Sequence, residues 1–277
     1  MKRNGTYVLF DSKATVNRPG WAQAHSAIAR ALKAMRWPDH DGVREFSIPR
    51  IVTIEVGQEY TDFRGKVVRV KKKAVTLRNG VRPLRDQFRR WMAEQECCCE
   101  EKLSLALFFR RLRERNAIVF SKYRTPDEPE LEIADEAFNE SVGNLDFWFQ
   151  TDGGFATAVE WETGNISSSH RSLNKLCLAL MGGIIDAGVL IVPSIKLYPH
   201  LTDRIGNLRE LQPYFHFWNR FGTLVDRGLL AVIEVEYDVL QKSVDQREFI
   251  PRGIDGNSPD RAAAKPNRVT RVSAKKR

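Results

Sequence analysis

The sequence predicts an α/β fold, with a central mixed β-sheet flanked by helices on both faces. Three observations carry that prediction. Ala187 to Val192 reads AGVLIV, a short run without a polar side chain, as expected of a strand covered on both faces. Leu145 to Glu162 reads as a hairpin, with strands over Leu145–Gln150 and Ala156–Glu162 and a turn at Asp152-Gly153-Gly154. Between hairpin and buried strand, Ile166 to Met181 sets Leu173, Leu176, Cys177 and Leu180 on one apolar helical face, and Gly182-Gly183 ends it. The order hairpin, helix, buried strand, helix, strand describes a layered α/β core.

The other elements follow in chain order. Residues 1–25 read as polar and irregular. Ala24 to Met35 has apolar residues at helical spacing, stopped by Trp37-Pro38. Glu45 to Leu77 is rich in Val, Ile and Thr and predicts strands, EFSIPRIVTIEV and KVVRVKKKAVTL. Within it, Arg69 to Lys73 is a basic run, suited either to a phosphate backbone or to a solvated strand face. Asn79-Gly80 signals a turn. PLRDQFRRWMAEQ and KLSLALFFRRLRER read as helices, with ECCCEE between them as a loop insertion. Thr125 to Gly143 is acidic and contains proline, as in a surface loop with a short helix or a local linker. Asn207-Leu208-Arg209-Glu210 is a capping box that starts another helix. Leu229 to Tyr237 is a further strand. Residues 1–258 are read as one domain, and 259–277 as a basic, flexible C-terminal tail with no apolar face.

The totals bound the function. A chain of 277 residues is ample for a real core, and its 42% hydrophobic content excludes a wholly disordered protein. The net charge of +9 suits a polyanionic partner, nucleic acid being the commonest, although a basic protein with no such partner fits equally well. No apolar run reaches the roughly 20 residues of a bilayer span, and no signal-peptide core is present, so a cytoplasmic location without membrane partners is expected. Cys97, Cys98 and Cys99 are adjacent and poorly placed to pair with one another. With Cys177 they match no zinc spacing, and all four read as reduced thiols without a catalytic role.

The hairpin carries the chemistry. A pivot at Gly153 sets Asp146 opposite Glu160, and strand alternation puts Glu162 on the face of Glu160. Phe147, Phe149, Val159 and Trp161 then point the other way, into the core. Like charges directly opposed destabilise a sheet, so three converging carboxylates call for something positive between them. Oxygen ligands of this kind suit Mg²⁺. The same residues also fit separately solvated acids at a strand end.

A helix start follows at once. Its N–H groups suit phosphate. Asn165, Ser167 and Arg171 lie on or near its first turns; Asn suits an adenine edge, Arg a guanine edge, and Ser either. Asn165 and Ser167 also fit plain helix caps. Leu201-Thr202-Asp203-Arg204 forms a second polar cluster, open to base reading or to a local Asp–Arg turn. Gly253-Ile254-Asp255-Gly256 is a glycine-flanked acid in a loop.

These stretches together resemble the BamHI family of type II restriction endonucleases. The resemblance rests on EWETGNISSSHRSLNKL (Glu160–Leu176), IIDAGVLI (Ile184–Ile191), YPHLTDR (Tyr198–Arg204), ELQPYF (Glu210–Phe215) and IPRGIDGNS (Ile250–Ser258). NGVRPLR (Asn79–Arg85) resembles the family's helix start more weakly. Residues 1–30 and most of 86–144 carry no such match.

The resemblance implies a restriction endonuclease-like core and Mg²⁺-dependent hydrolysis of double-stranded DNA at a palindrome, GGATCC, leaving 5′-staggered ends. Asp146 and Glu160 would hold the Mg²⁺ ions, two per site. Glu162 stands where most nucleases of the larger superfamily have a lysine, and would act as general base. A further metal-site acid is assigned to Glu114, with Glu101 and Glu132 as alternatives. Asn165, Ser167, Arg171, Asp203, Arg204 and Asp255 match the family's base readers, and Arg85 replaces a lysine near the DNA. A homodimer is implied, with the helix from Ile166 contributing to its interface, and a cognate DNA methyltransferase is expected in the same system. A related endonuclease of altered specificity and a non-cleaving DNA-binding protein on the same fold remain alternatives; retention of all three hairpin acids argues against the second.

Overall fold

The computed structural model of the chain describes residues 1–40, 42–61, 66–94, 98–100, 144–202 and 205–251. Its strands are β1 (Lys2–Ser12), β2 (Ser47–Pro49), β3 (Val52–Thr61), β4 (Val67–Leu77), β5 (Cys98–Glu100), β6 (Phe147–Gln150), β7 (Ala156–Trp161), β8 (Ala187–Pro193), β9 (Gly228–Glu236) and β10 (Val239–Gln241). Its α-helices are α1 (Pro19–Ala34), α2 (Arg82–Ala93), α3 (Ile166–Met181), α4 (Leu208–Leu211) and α5 (Phe215–Phe221).

Among the described residues, six strands form the central sheet in the order β1-β9-β8-β7-β6-β5. The β7–β8 and β8–β9 pairs are parallel and the other three antiparallel, so the sheet is mixed, as expected. Every residue of β7 and β8 is buried. One face packs under α1 and α2, where Ile28, Leu32, Phe88 and Met92 meet Phe149, Val159 and Ile191. The other packs under α3, α4 and α5, where Leu173, Leu176, Leu211 and Trp218 meet Ala158, Leu190 and Val232. This two-sided cover is why AGVLIV has no polar member: each alternate side chain has a core to enter. Full burial of one such Leu or Ile stabilises by about 1.5–3 kcal/mol.

The hairpin pairs as the pivot at Gly153 requires, with Phe147 opposite Val159 and Phe149 opposite Thr157. Phe147, Phe149, Val159 and Trp161 all enter the core beneath α1 and α2. Helix α3 has the expected bounds, and its turn-off at Gly183 adopts φ +64°, a left-handed conformation open to glycine at little cost. The capping box at Asn207 and Glu210 is complete.

Three expectations are corrected. Residues 1–25 are regular, not irregular: β1 pairs antiparallel with β9, and α1 begins at Pro19, five residues before the predicted start. The strand was hidden because it lies at the sheet edge and breaks register between Arg3 and Gly5 and again between Val8 and Phe10, which destroys a period of two. Second, Cys98–Glu100 is not a loop insertion but a short strand on β6. Three residues are too few to show alternation, and partners about fifty positions away decide the pairing. Third, Asn79 is more than a turn residue. It is fully buried and its side chain donates to the carbonyls of Pro49 (2.8 Å) and His200 (3.0 Å) and accepts from Ile250 N–H (3.2 Å).

The predicted strands over Glu45–Leu77 appear as β2 and the antiparallel ribbon β3–β4. Lys72 in its basic run pairs with Glu55 at 3.3 Å, both well exposed. The predicted helix over 102–115, the acidic segment 125–143 and the C-terminal tail lie outside the described residues. No helix among the described residues is long and apolar enough to cross a membrane.

Candidate active site

The site is assembled at the end of the hairpin. Asp146 immediately precedes β6, Glu160 is the fifth residue of β7, and Glu162 follows β7 directly. The opposed acids are tolerated because each accepts a backbone N–H from the other strand. Asp146 N–H donates to Glu160 Oε1 at 3.2 Å, and Trp161 N–H donates to Asp146 Oδ2 at 3.1 Å. Glu162 Oε1 accepts from Gly164 N–H at 2.6 Å.

The positive partner called for by the acids is present in part within the chain. Lys175, buried on α3, donates from Nζ to Glu160 Oε1 at 2.9 Å and to the Asn144 carbonyl at 2.9 Å. Ser172, one turn earlier, donates to Glu160 Oε2 at 2.9 Å. Lys175 and Ser172 thus take up part of the charge and part of the lone-pair capacity of Glu160. Among the described residues, no three His, Cys, Asp or Glu side chains cluster closely enough to hold an ion by themselves.

The electrostatics differ along the trio. Burial pushes Glu160 above the ordinary carboxylate range; Lys175 and Ser172 oppose the rise and Asp146 adds to it. Burial pushes Glu162 up to about 7, opposed by Ser169 and Gly164 N–H and reinforced by Glu160 and Asp146. Yet Glu162 Oε2 and Ser169 Oγ are both buried without a hydrogen bond of good geometry. A carboxylate poised near neutrality with one unpartnered oxygen is suited to accept a proton.

These features fit a hard divalent cation. A carboxylate offers about four lone-pair positions. The Glu160 carboxylate receives three described donors, which leaves room for one more contact. Glu162 Oε2 is the unmet oxygen beside it.

The start of α3 abuts the acids. Asn165 caps α3, its Oδ1 accepting from Ser168 N–H at 3.3 Å, so the cap reading of Asn165 is realised. Ser167 is not the cap; it lies in the first turn and is exposed, as is Arg171. The helix start is packed tightly against the segment ahead of α4. Asn165 bridges to Ile205, and Gly206 N–H donates to the Gly164 carbonyl at 3.3 Å. A Cβ on Gly206 would lie 2.0 Å from Ser169 Oγ and 3.2 Å from Ile166 Cα, so any larger residue would force Ser169 and the helix start to shift.

Three separated motifs meet at Asn79. Besides its side-chain bonds, its carbonyl accepts from Thr202 N–H at 2.6 Å, and Gly80 N–H donates to the Ile250 carbonyl at 2.8 Å. Asp203 and Arg204 lie outside the described residues, but their flanks are fixed: Thr202 to Asn79 and Ile205 to Asn165. Asp255 and Glu114 also lie outside them. Arg85 sits in the first turn of α2, half-buried and bonded to its neighbour Asp86. Beside it, Val81 and Leu84 line a small cavity together with Trp161, Glu162 and Leu201.

Lys175, Ser172 and Ser169 were missed in the sequence. Their signal was available: polar residues three apart on a helix flank otherwise built from Leu173, Leu176 and Leu180.

The model of the restriction endonuclease BamHI family matches residues 1–257, which includes the first 30. Among curated proteins, the type II restriction enzyme OkrAI of Oceanobacter kriegii is 50% identical over 107 residues, covering 38% of this chain and 52% of that protein. The type II restriction enzyme BamHI of Bacillus amyloliquefaciens is 54% identical over 100 residues, covering 36% of this chain and 42% of that protein. The chain thus spans about half the length of the curated relatives it matches. Among solved structures, restriction endonuclease BglII complexed with a DNA 16-mer aligns over 91% of this chain and 90% of that one, at 10% identity and a TM-score of 0.47.

Proposed function

Since the chain belongs to the BamHI family of restriction endonucleases, we propose that it is a type II site-specific deoxyribonuclease that hydrolyses double-stranded DNA at GGATCC. The observation that carries the proposal is the adjacency of two groups. The acid trio Asp146, Glu160 and Glu162 ends only three residues before the cap of α3, whose exposed first turns present Ser167 and Arg171.

Asp146 and Glu160, with Glu114 as a further candidate, would hold Mg²⁺, two ions per site. Bound there, the cation neutralises charge on the scissile phosphate. The chain's own groups do the rest. Glu162, raised to about 7, takes the proton of the attacking water. Asn165, Ser167 and Arg171, with Asp203, Arg204 and Asp255, read base edges, and Arg85 contacts the DNA near the site. Arg and Asp account for the outer G·C pairs, and Asn for the inner A·T pair. A palindrome is matched by a homodimer, in which α3 contributes to the interface. Cleavage leaves 5′-staggered ends, and a cognate methyltransferase protects the host without binding this chain.

The test is digestion of a DNA of known sequence with Mg²⁺, followed by sequencing of the ends. Ends at GGATCC are expected. Ends elsewhere establish a different specificity, and intact DNA bound at GGATCC would support the non-cleaving alternative.

A further inference from the structure

The inner flank of α3 bears on the acids at three successive positions. Ser169 lies beside Glu162, Ser172 holds Glu160 Oε2, and Lys175 holds Glu160 Oε1. Of these, Lys175 makes the longest-range connection. Its Nζ also binds the carbonyl of Asn144, two residues before Asp146. One ammonium therefore ties together α3, the side chain from β7 and the entry into β6. A lysine buried to this degree is rare unless paired, and this one has its partners aimed at a single carboxylate and a single carbonyl.

We propose that Lys175 is the positioning residue of the acidic site. Its two hydrogen bonds set the orientation of the Glu160 carboxylate and the placement of the Asp146 segment, so that the pair is preorganised for a divalent cation. Lys175 is buried and acts through Glu160 and Asn144. With Lys175 on Oε1 and Ser172 on Oε2, the carboxylate cannot rotate freely, and the position left open is fixed. Partners of this outer kind typically contribute 10- to 100-fold to metal affinity. The inference rests on the metal-dependent nuclease reading.

The experiment compares wild type with Lys175→Met, following Mn²⁺ binding by electron paramagnetic resonance without DNA. In parallel, the Mg²⁺ concentration for half-maximal cleavage of a GGATCC duplex is measured, and duplex binding is measured in chelator. Lys175→Met is expected to weaken Mn²⁺ binding by about 10- to 100-fold. The Mg²⁺ requirement should rise in parallel, while duplex binding in chelator stays within about threefold. Wild-type Mn²⁺ affinity in the variant would overturn the inference. Should Lys175→Met not fold, Lys175→Gln, which keeps a donor for Asn144, is judged by the same criteria. A wild type that neither binds Mn²⁺ nor cleaves would defeat the nuclease reading and this inference with it. A competent wild type beside an unaffected variant defeats the inference alone.

Discussion

The two polar flanks of helix α3 behave differently, although their residue types are similar. The outer flank carries Asn165, Ser167 and Arg171, all exposed. The inner flank carries Ser169, Ser172 and Lys175, of which Ser169 and Lys175 are buried and Ser172 half-buried. Ser169 serves a different purpose from Ser167, two residues earlier, because about 100° of helical rotation per residue moves it from solvent to the acids. The arrangement separates what can vary in partner from what must be held still. Exposed polar groups are free to reorganise around a ligand, whereas buried ones are committed by the cost of leaving them unpaired. Under the proposed function, one helix would read outward and hold the site inward.

The largest effect is expected on the inner side, at the residue the helix holds. Glu160→Gln keeps the side-chain shape but removes the charge facing Lys175. Cleavage should fall by about 10²- to 10³-fold, the order lost with one preorganised electrostatic group, while duplex binding persists. Single-turnover cleavage and a binding assay in chelator measure the two; wild-type cleavage would remove Glu160 from the site. Next comes the outer side. Arg171→Ala should cost about 1–3 kcal/mol of discrimination between GGATCC and single-base variants, with little change in melting temperature. Equal discrimination by the variant and wild type would break the contrast between the flanks.

A third change tests the packing that holds the flanks apart. Gly206→Ala drives a Cβ against Ser169 and the backbone of Ile166. Overpacking of this kind should destabilise by about 1–3 kcal/mol, read by denaturant unfolding, and should affect both cleavage and specificity. A variant as stable as wild type would show that the helix start has room to move.

The most gradual expected effect is a pH dependence. In metal-free protein the folded state raises Glu162 from 4.5 to about 7, so it binds a proton more tightly than the unfolded chain does. Its contribution to stability is therefore fully present below pH 4.5 and is lost as pH rises toward 7. The slope from this one proton cannot exceed about 1.4 kcal/mol per pH unit. Glu160, also raised by burial, acts in the same direction. Glu162→Gln should flatten the fall in stability between pH 5 and 7 without abolishing it. Parallel profiles for the variant and wild type would place Glu162 in water rather than in a dry site.

Legibility followed sequence distance. The hairpin pairing, the bounds of α3, the run AGVLIV and the cap at Asn207 were all readable, because each is decided by residues within a turn or two of one another. Edge strands β1 and β5 were not. β1 pairs with β9 more than two hundred residues on, and neither edge strand has a clean alternation of its own. The three acids were readable as a group, since strand alternation places them. Their electrostatic settlement was not, because Lys175 looks like an ordinary polar position in a helix until β7 is packed beneath it. Asn79 shows the same limit: its Asn-Gly context reads as a turn, while its side chain joins segments near Pro49, His200 and Ile250.

By itself, the sequence determined the α/β class, the hairpin, the acid trio and the helix that follows, since short-range periodicity and turn chemistry suffice for each. Tertiary structure alone decided which polar residues of α3 face the acids, that a buried ammonium bridges Glu160 to the entry of β6, and that Asn79 gathers three distant motifs. Those outcomes depend on which surfaces are excluded from water together. Burial makes a single unpaired polar group expensive, and so selects partners that no local pattern records.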